Sequence, residues 1–104
     1  MLYVLLCDHA PEVCPMSNAK TREAMLRTTP EVPDVAKKNG VKFVAGPYVN
    51  REHTMVIVVE TDRSESLDAF ILDSGLEQWN RIHVLPSKTL EDGIKDIERA
   101  TPIF

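Results

Sequence analysis

The apolar positions of the chain follow two rhythms, an alternating one and a helical one, and the switches between them predict its elements. Leu2 to His9 is a short apolar run of strand-forming residues, too short for a helix, and reads as a first strand. Ala10-Pro11-Glu12-Val13-Cys14-Pro15 breaks it, because proline supports neither a helix interior nor a strand ladder. Ser17 or Asn18 then caps a helix with Lys20, Arg22 and Glu23 on its wet side and Ala24, Met25 and Leu26 on its apolar side. Thr29-Pro30 interrupts that helix. Pro33 opens a second short one that runs to Asn39, and Gly40 supplies a left-handed stop.

Val41 to Tyr48 reads as the second strand, with Gly46-Pro47 marking a bend or a ladder break on a sheet edge. Asn50-Arg51-Glu52 turns the chain into His53 to Thr61, which is β-branched and almost wholly apolar, as a central strand covered on both faces should be. Ser64 caps a helix to about Leu72, with Glu65, Leu67, Phe70 and Ile71 in amphipathic order, and Asp73-Ser74-Gly75 ends it. Trp79 to Leu85 is the fourth strand, which Pro86 stops. Thr89 caps a final helix through Arg99 with Leu90, Ile94 and Ile97 on one stripe. The order β-α-β-β-α-β-α predicts one α+β domain of the ferredoxin-like βαββαβ type with a C-terminal helix. Right-handed crossovers then give a four-stranded antiparallel sheet in spatial order 4-1-3-2.

Composition narrows the function classes. A chain of 104 residues has room for one core, and its net charge of −4 with no basic stripe speaks against nucleic acid as a partner. No apolar run approaches the roughly 18 residues that span a bilayer. The first residues lack the basic region of a signal peptide, and two cysteines, Cys7 and Cys14, make no disulfide framework, so a reducing cytoplasmic setting is expected. The first and third strands are apolar on both faces. The face that helices leave open needs a partner, and a second copy of the chain is the simplest one, so a homodimer is expected.

This element order resembles the dimeric α+β-barrel superfamily over the whole chain. Met1-Leu2-Tyr3-Val4 with Ala45-Gly46-Pro47 resembles the YciI-like family, and Gly46-Pro47-Tyr48 followed by His53 to Glu60 is similar to GYD-type domains. The YciI-like resemblance implies a His in the first helix and an Asp before the last strand. Asp73 fits the second position, whereas the first helix here holds no histidine.

The topology gathers scattered polar residues. Aligning the first strand with the third sets His9 opposite His53, with Cβ atoms about 5 Å apart. The loop bearing Cys14 leaves from the same edge, and the start of the fourth strand brings Asp73, Glu77 and Trp79 there. His83 falls about four residues along, roughly 13 Å away at about 3.3 Å per residue. Three readings follow. His9, His53 and Cys14 are suitable ligands for zinc, copper or iron. Alternatively His9 or His53 is a general base oriented by Asp73, since imidazoles titrate near neutrality. In the third reading the histidines only cap strand ends. Cys7, alternating with Leu5 and Tyr3, is read as a small buried hydrophobe. Cys14 is expected to have an exposed thiol, and Cys14-Pro15 resembles a pair found at some haem contacts. Met16, Met25 and Met55 are read as core filler, and Trp79 as cavity wall or dimer interface. Three functions compete: a small dimeric protein with a ligand or active-site pocket at the His9/His53 end, a transition-metal-binding or metal-sensing module, and a non-catalytic regulatory dimer.

Overall fold

A computed structural model describes all residues, 1–104. Four strands, β1 (Leu2–Asp8), β2 (Lys42–Tyr48), β3 (Thr54–Glu60) and β4 (Arg81–Ser87), form one antiparallel sheet in the order β2-β3-β1-β4. The helices are α1 (Ala19–Thr28), α2 (Val32–Lys38), α3 (Ser64–Ser74) and α4 (Leu90–Arg99). The architecture is the ferredoxin-like one with a C-terminal helix, as the apolar rhythm predicts.

The pleat sorts the side chains. Tyr3, Leu5 and Cys7 of β1 and Met55, Ile57 and Val59 of β3 are buried under the helices, while the alternate residues Leu2, Val4, Leu6, Val56 and Val58 stay half-exposed on the other face. Helix α3 closes the core with Leu67, Phe70, Ile71 and Ser74, which recur at three- and four-residue spacing on one stripe. Phe70 meets Phe43 of β2 edge-to-face at 5.7 Å between ring centroids. Within the chain the helices thus cover one face of the sheet.

Several boundaries differ from expectation for identifiable reasons. Pro86 was expected to stop the last strand but lies inside β4, opposite Tyr3. β4 is an edge strand, and a proline there costs no ladder bond if its missing donor faces outward. Ser64 is the first residue of α3 rather than its cap, a position held by Arg63 with no side-chain hydrogen bond. In β2 the register slips between Ala45 and Tyr48. Gly46 there has φ +79, and a Cβ on it would lie 2.5 Å from the carbonyl oxygen of Val56, so only glycine lets the two backbones come this close.

Helix α4 stands apart. None of its residues is buried, and Leu90, Ile94 and Ile97 are exposed along one face. The molecule accordingly measures 53 × 31 × 18 Å with a radius of gyration of 16.1 Å, against roughly 13 Å for a compact chain of about 100 residues. No helix is long and apolar enough to cross a membrane.

Candidate metal centre

The antiparallel register builds the site. The residue numbers of paired positions in β1 and β3 sum to 62, from Leu2–Glu60 to Asp8–Thr54, and one step further the pair is His9 and His53. The His9 amide donates to the His53 carbonyl at 3.1 Å, so the pairing extends past the regular strands. The two rings meet edge-on with centroids 5.3 Å apart. The ring of Trp79, in the turn before β4, also packs on His9, tilted, with centroids 5.0 Å apart.

Cys14 arrives from the proline-rich loop. A single 3-10 turn, Pro11–Val13, follows β1, and Cys14 ends it with its amide donating to the Pro11 carbonyl. The Cys14 carbonyl accepts from Ser17 and Asn18, and Asn18 in turn caps α1 through its side chain. The thiol expected at the surface is instead buried, 6% exposed, because the loop folds inward over the strand ends. Its Sγ accepts a hydrogen bond from the Met16 amide at 3.5 Å. One ring nitrogen of each histidine and Cys14 Sγ lie within 4.8 Å of one another.

The tautomer of His9 can be assigned from the network around it. Asn80 Nδ2 donates to the Leu76 carbonyl at 3.0 Å, which turns its Oδ1 toward His9 Nδ1, also at 3.0 Å. An amide oxygen only accepts, so Nδ1 carries a proton, and in the neutral ring the lone pair is then on Nε2. That Nε2 is buried and has no hydrogen-bond partner. A buried polar atom without a partner costs about 1–3 kcal/mol, and a lone pair held this way is ready for a proton or a metal ion. Imidazole ligands of metals have this arrangement, with the second nitrogen fixed by an acceptor behind it.

Asp73 does not take the part expected of it. Helix α3 runs on to Ser74 and carries Asp73 to its exposed side. There the carboxylate accepts from Asn39 Nδ2 at 3.1 Å and lies 3.9 Å from Lys38 Nζ. The place behind His9 belongs to Asn80, which sequence reasoning missed. Its one visible signal was position, since the β1–β4 register of Asp8 with Arg81 sets Asn80 beside His9 one step on. His83 pairs with Leu6 on the opposite face and bonds Asp8 through Nε2 at 3.0 Å. The Thr54 hydroxyl, with further help from His83, holds the Asp8 carboxyl below its ordinary range. Cys7 is sealed in the core, where burial first and the Asp8 charge second push its thiol up to about 11, so it is a packing residue.

Beside the cluster opens a cavity of about 510 Å³, bounded by His9, Cys14, His53, Arg51, Met55 and Trp79 among others. Met16 and Met25 also border it. Met16 is 82% exposed and so is no core filler.

The chain matches no family model, no curated protein and no solved structure.

Proposed function

We propose that the protein binds a transition metal ion through His9 Nε2, one nitrogen of His53 and the Cys14 thiolate, with a fourth position open to the adjoining cavity. The observation that carries this reading is the buried, unpartnered Nε2 of His9, fixed from behind by Asn80 and next to a second imidazole and a buried thiol. Two imidazoles and one thiolate suit zinc or copper. With bonds of about 2.0–2.3 Å, ligand atoms around a tetrahedral ion sit roughly 3.4–3.8 Å apart, so closure on an ion from 4.8 Å needs only side-chain adjustment. Three protein ligands and an open position characterise metal sites that act on a bound molecule, whereas structural sites are closed by four.

The rival acid–base reading is weaker. It assigns the role of orienting the imidazole to Asp73. The group behind His9 is the neutral amide of Asn80, while Asp73 is engaged with Asn39 and Lys38. A reducing, cytoplasmic setting suits the metal reading, since both cysteines are free thiols.

The functional unit in this proposal is a homodimer. Leu2, Val4, Leu6, Val56 and Val58 leave an apolar sheet face half-exposed, and the α4 stripe is a second apolar surface with no partner in its own chain. Two copies can cover both at once.

Cobalt(II) substitution tests the centre. A four-coordinate site with one thiolate gives an intense ultraviolet sulfur-to-cobalt band and strong visible bands, and Cys14→Ser removes the former. A spectrum that stays that of six-coordinate aqueous cobalt contradicts the proposal.

A further inference from the structure

Helix α1 does not close against the sheet. Its ten residues include no buried one, and between α1, α2 and the sheet lies an apolar chamber of about 440 Å³ lined by Val32, Phe43, Ile57 and Leu76 among others. Met25, Val49, Met55 and Trp79 border both this chamber and the cavity at the His9–His53–Cys14 cluster, so the two adjoin. Each has the size of a small-molecule site, about 300–1,000 Å³. Apolar walls facing a gap lack contact atoms on one side, so an apolar guest that fits gains dispersion and sheds water.

Charge indicates the other end of the guest. The chain carries sixteen Asp and Glu against twelve Lys and Arg, yet no carboxylate lines either chamber. The charged or ionisable groups there are Arg51, His9, His53 and Cys14. Arg51 is an exposed side chain at the mouth, and it pairs with its neighbour Glu52 at 3.7 Å. A surface pair of this kind is worth little and is easily exchanged for a ligand carboxylate, which a guanidinium can bind with two parallel hydrogen bonds.

We propose that the double chamber binds a small apolar carboxylic acid, its aromatic or branched skeleton beneath α1 and its carboxylate between Arg51 and the open position of the metal. The head-group half of this assignment rests on the metal reading, and the apolar half does not. The skeleton is held by Val32, Phe43 and Ile57, with Trp79 at the junction. The absence of lining carboxylates keeps the anion from repulsion, and Arg51 draws it to the mouth.

The test uses zinc-loaded full-length protein and two probes of equal shape, 4-(trifluoromethyl)benzoate and 4-(trifluoromethyl)benzyl alcohol, followed by fluorine NMR. Trp79, the chain's one tryptophan, gives a fluorescence readout at the junction. The acid is expected to bind at least tenfold more tightly than the alcohol, and Arg51→Gln to narrow that ratio severalfold. Val32→Phe, which fills the chamber, is expected to abolish binding of both while zinc content and circular dichroism stay unchanged. If that variant misfolds, nuclear Overhauser contacts between the probe ring and the Trp79 indole in the native protein decide the position. Failure of both probes to bind zinc-loaded, folded protein overturns the proposal. Equal binding of acid and alcohol overturns its head-group half. Binding of the acid beneath α1 in protein that takes up no zinc upholds the chamber while removing the metal reading, so the two failures are distinguishable.

Discussion

At φ +57, His53 occupies the left-handed region, where an L side chain crowds the following carbonyl oxygen at a cost of roughly 1–2 kcal/mol that glycine escapes. The turn that ends in His53 imposes this conformation. Asn50 holds the turn from both sides, its Oδ1 accepting from the amides of Glu52 and Thr54 and its Nδ2 donating to the Thr54 carbonyl. His53→Gly should therefore unfold at higher denaturant than His53→Ala, by about 1 kcal/mol, while both lose the metal. Equal stability of the two variants in urea would show that the turn does not strain the residue. Asn80→Ala removes the acceptor behind His9 and frees the ring to turn, and metal affinity should fall about 10–100-fold, as for other groups that orient ligands. A competition titration against a chelator of known affinity measures it, and an unchanged constant removes Asn80 from the site. The opposition of His9 and His53 was legible in the sequence because strand pairing and a two-residue period fix it once the topology is chosen. Asn80 was not, because its role depends on which way an amide faces in a short irregular turn. Asp73 misled because α3 carries it to the exposed side, where Asn39 and Lys38 meet it.

Elements held to expectation where pattern alone decides them and departed where the sheet edge or a cap decides. The long apolar strands and α3 fall where their periods lie, since burial of Leu5, Ile57, Leu67 and Phe70 drives them. β4 begins at Arg81 rather than Trp79, because a 3-10 turn, Leu76–Gln78, follows α3 and carries Trp79 over His9. The bulge in β2 depends on Gly46. Gly46→Ala should destabilise by about 2 kcal/mol or more, summing left-handed strain with a clash against the Val56 carbonyl. Urea midpoints measure this, and a loss near zero contradicts the close approach. In α4, Asp96 pairs with Lys88 across the start of the helix and with Arg99 one turn on. The hydrogen bond from Lys88, then that from Arg99, lowers its carboxyl below the ordinary 3.8. A carboxyl depressed in the folded state stabilises that state above its unfolded value and loses the effect as pH falls through its folded value. The α4 signals in NMR should therefore weaken only as pH drops below 3.8, and Asp96→Asn should remove that dependence.

For the whole molecule, the proposals of a dimer and of a metal centre make separable predictions. Light scattering should give twice the chain mass at micromolar concentration. Paired substitutions Ile94→Asp and Ile97→Asp on the exposed α4 stripe should shift the protein toward monomer without changing its metal content. A wild-type monomer at that concentration contradicts the dimer and leaves the metal centre untouched. Bound metal should also stabilise the fold by about 2.7 kcal/mol at one hundred times its dissociation constant, or roughly 10–20 °C in Tm for a domain of this size. The central claim is that His9, His53 and Cys14 hold one ion together, and elemental analysis of protein purified without chelator tests it most directly. The expected result is about one zinc or copper per chain in the wild type and in His83→Ala, and almost none in His9→Ala, His53→Ala and Cys14→Ser. A wild type that takes up neither metal, or a His9→Ala variant that keeps its full content, would contradict it.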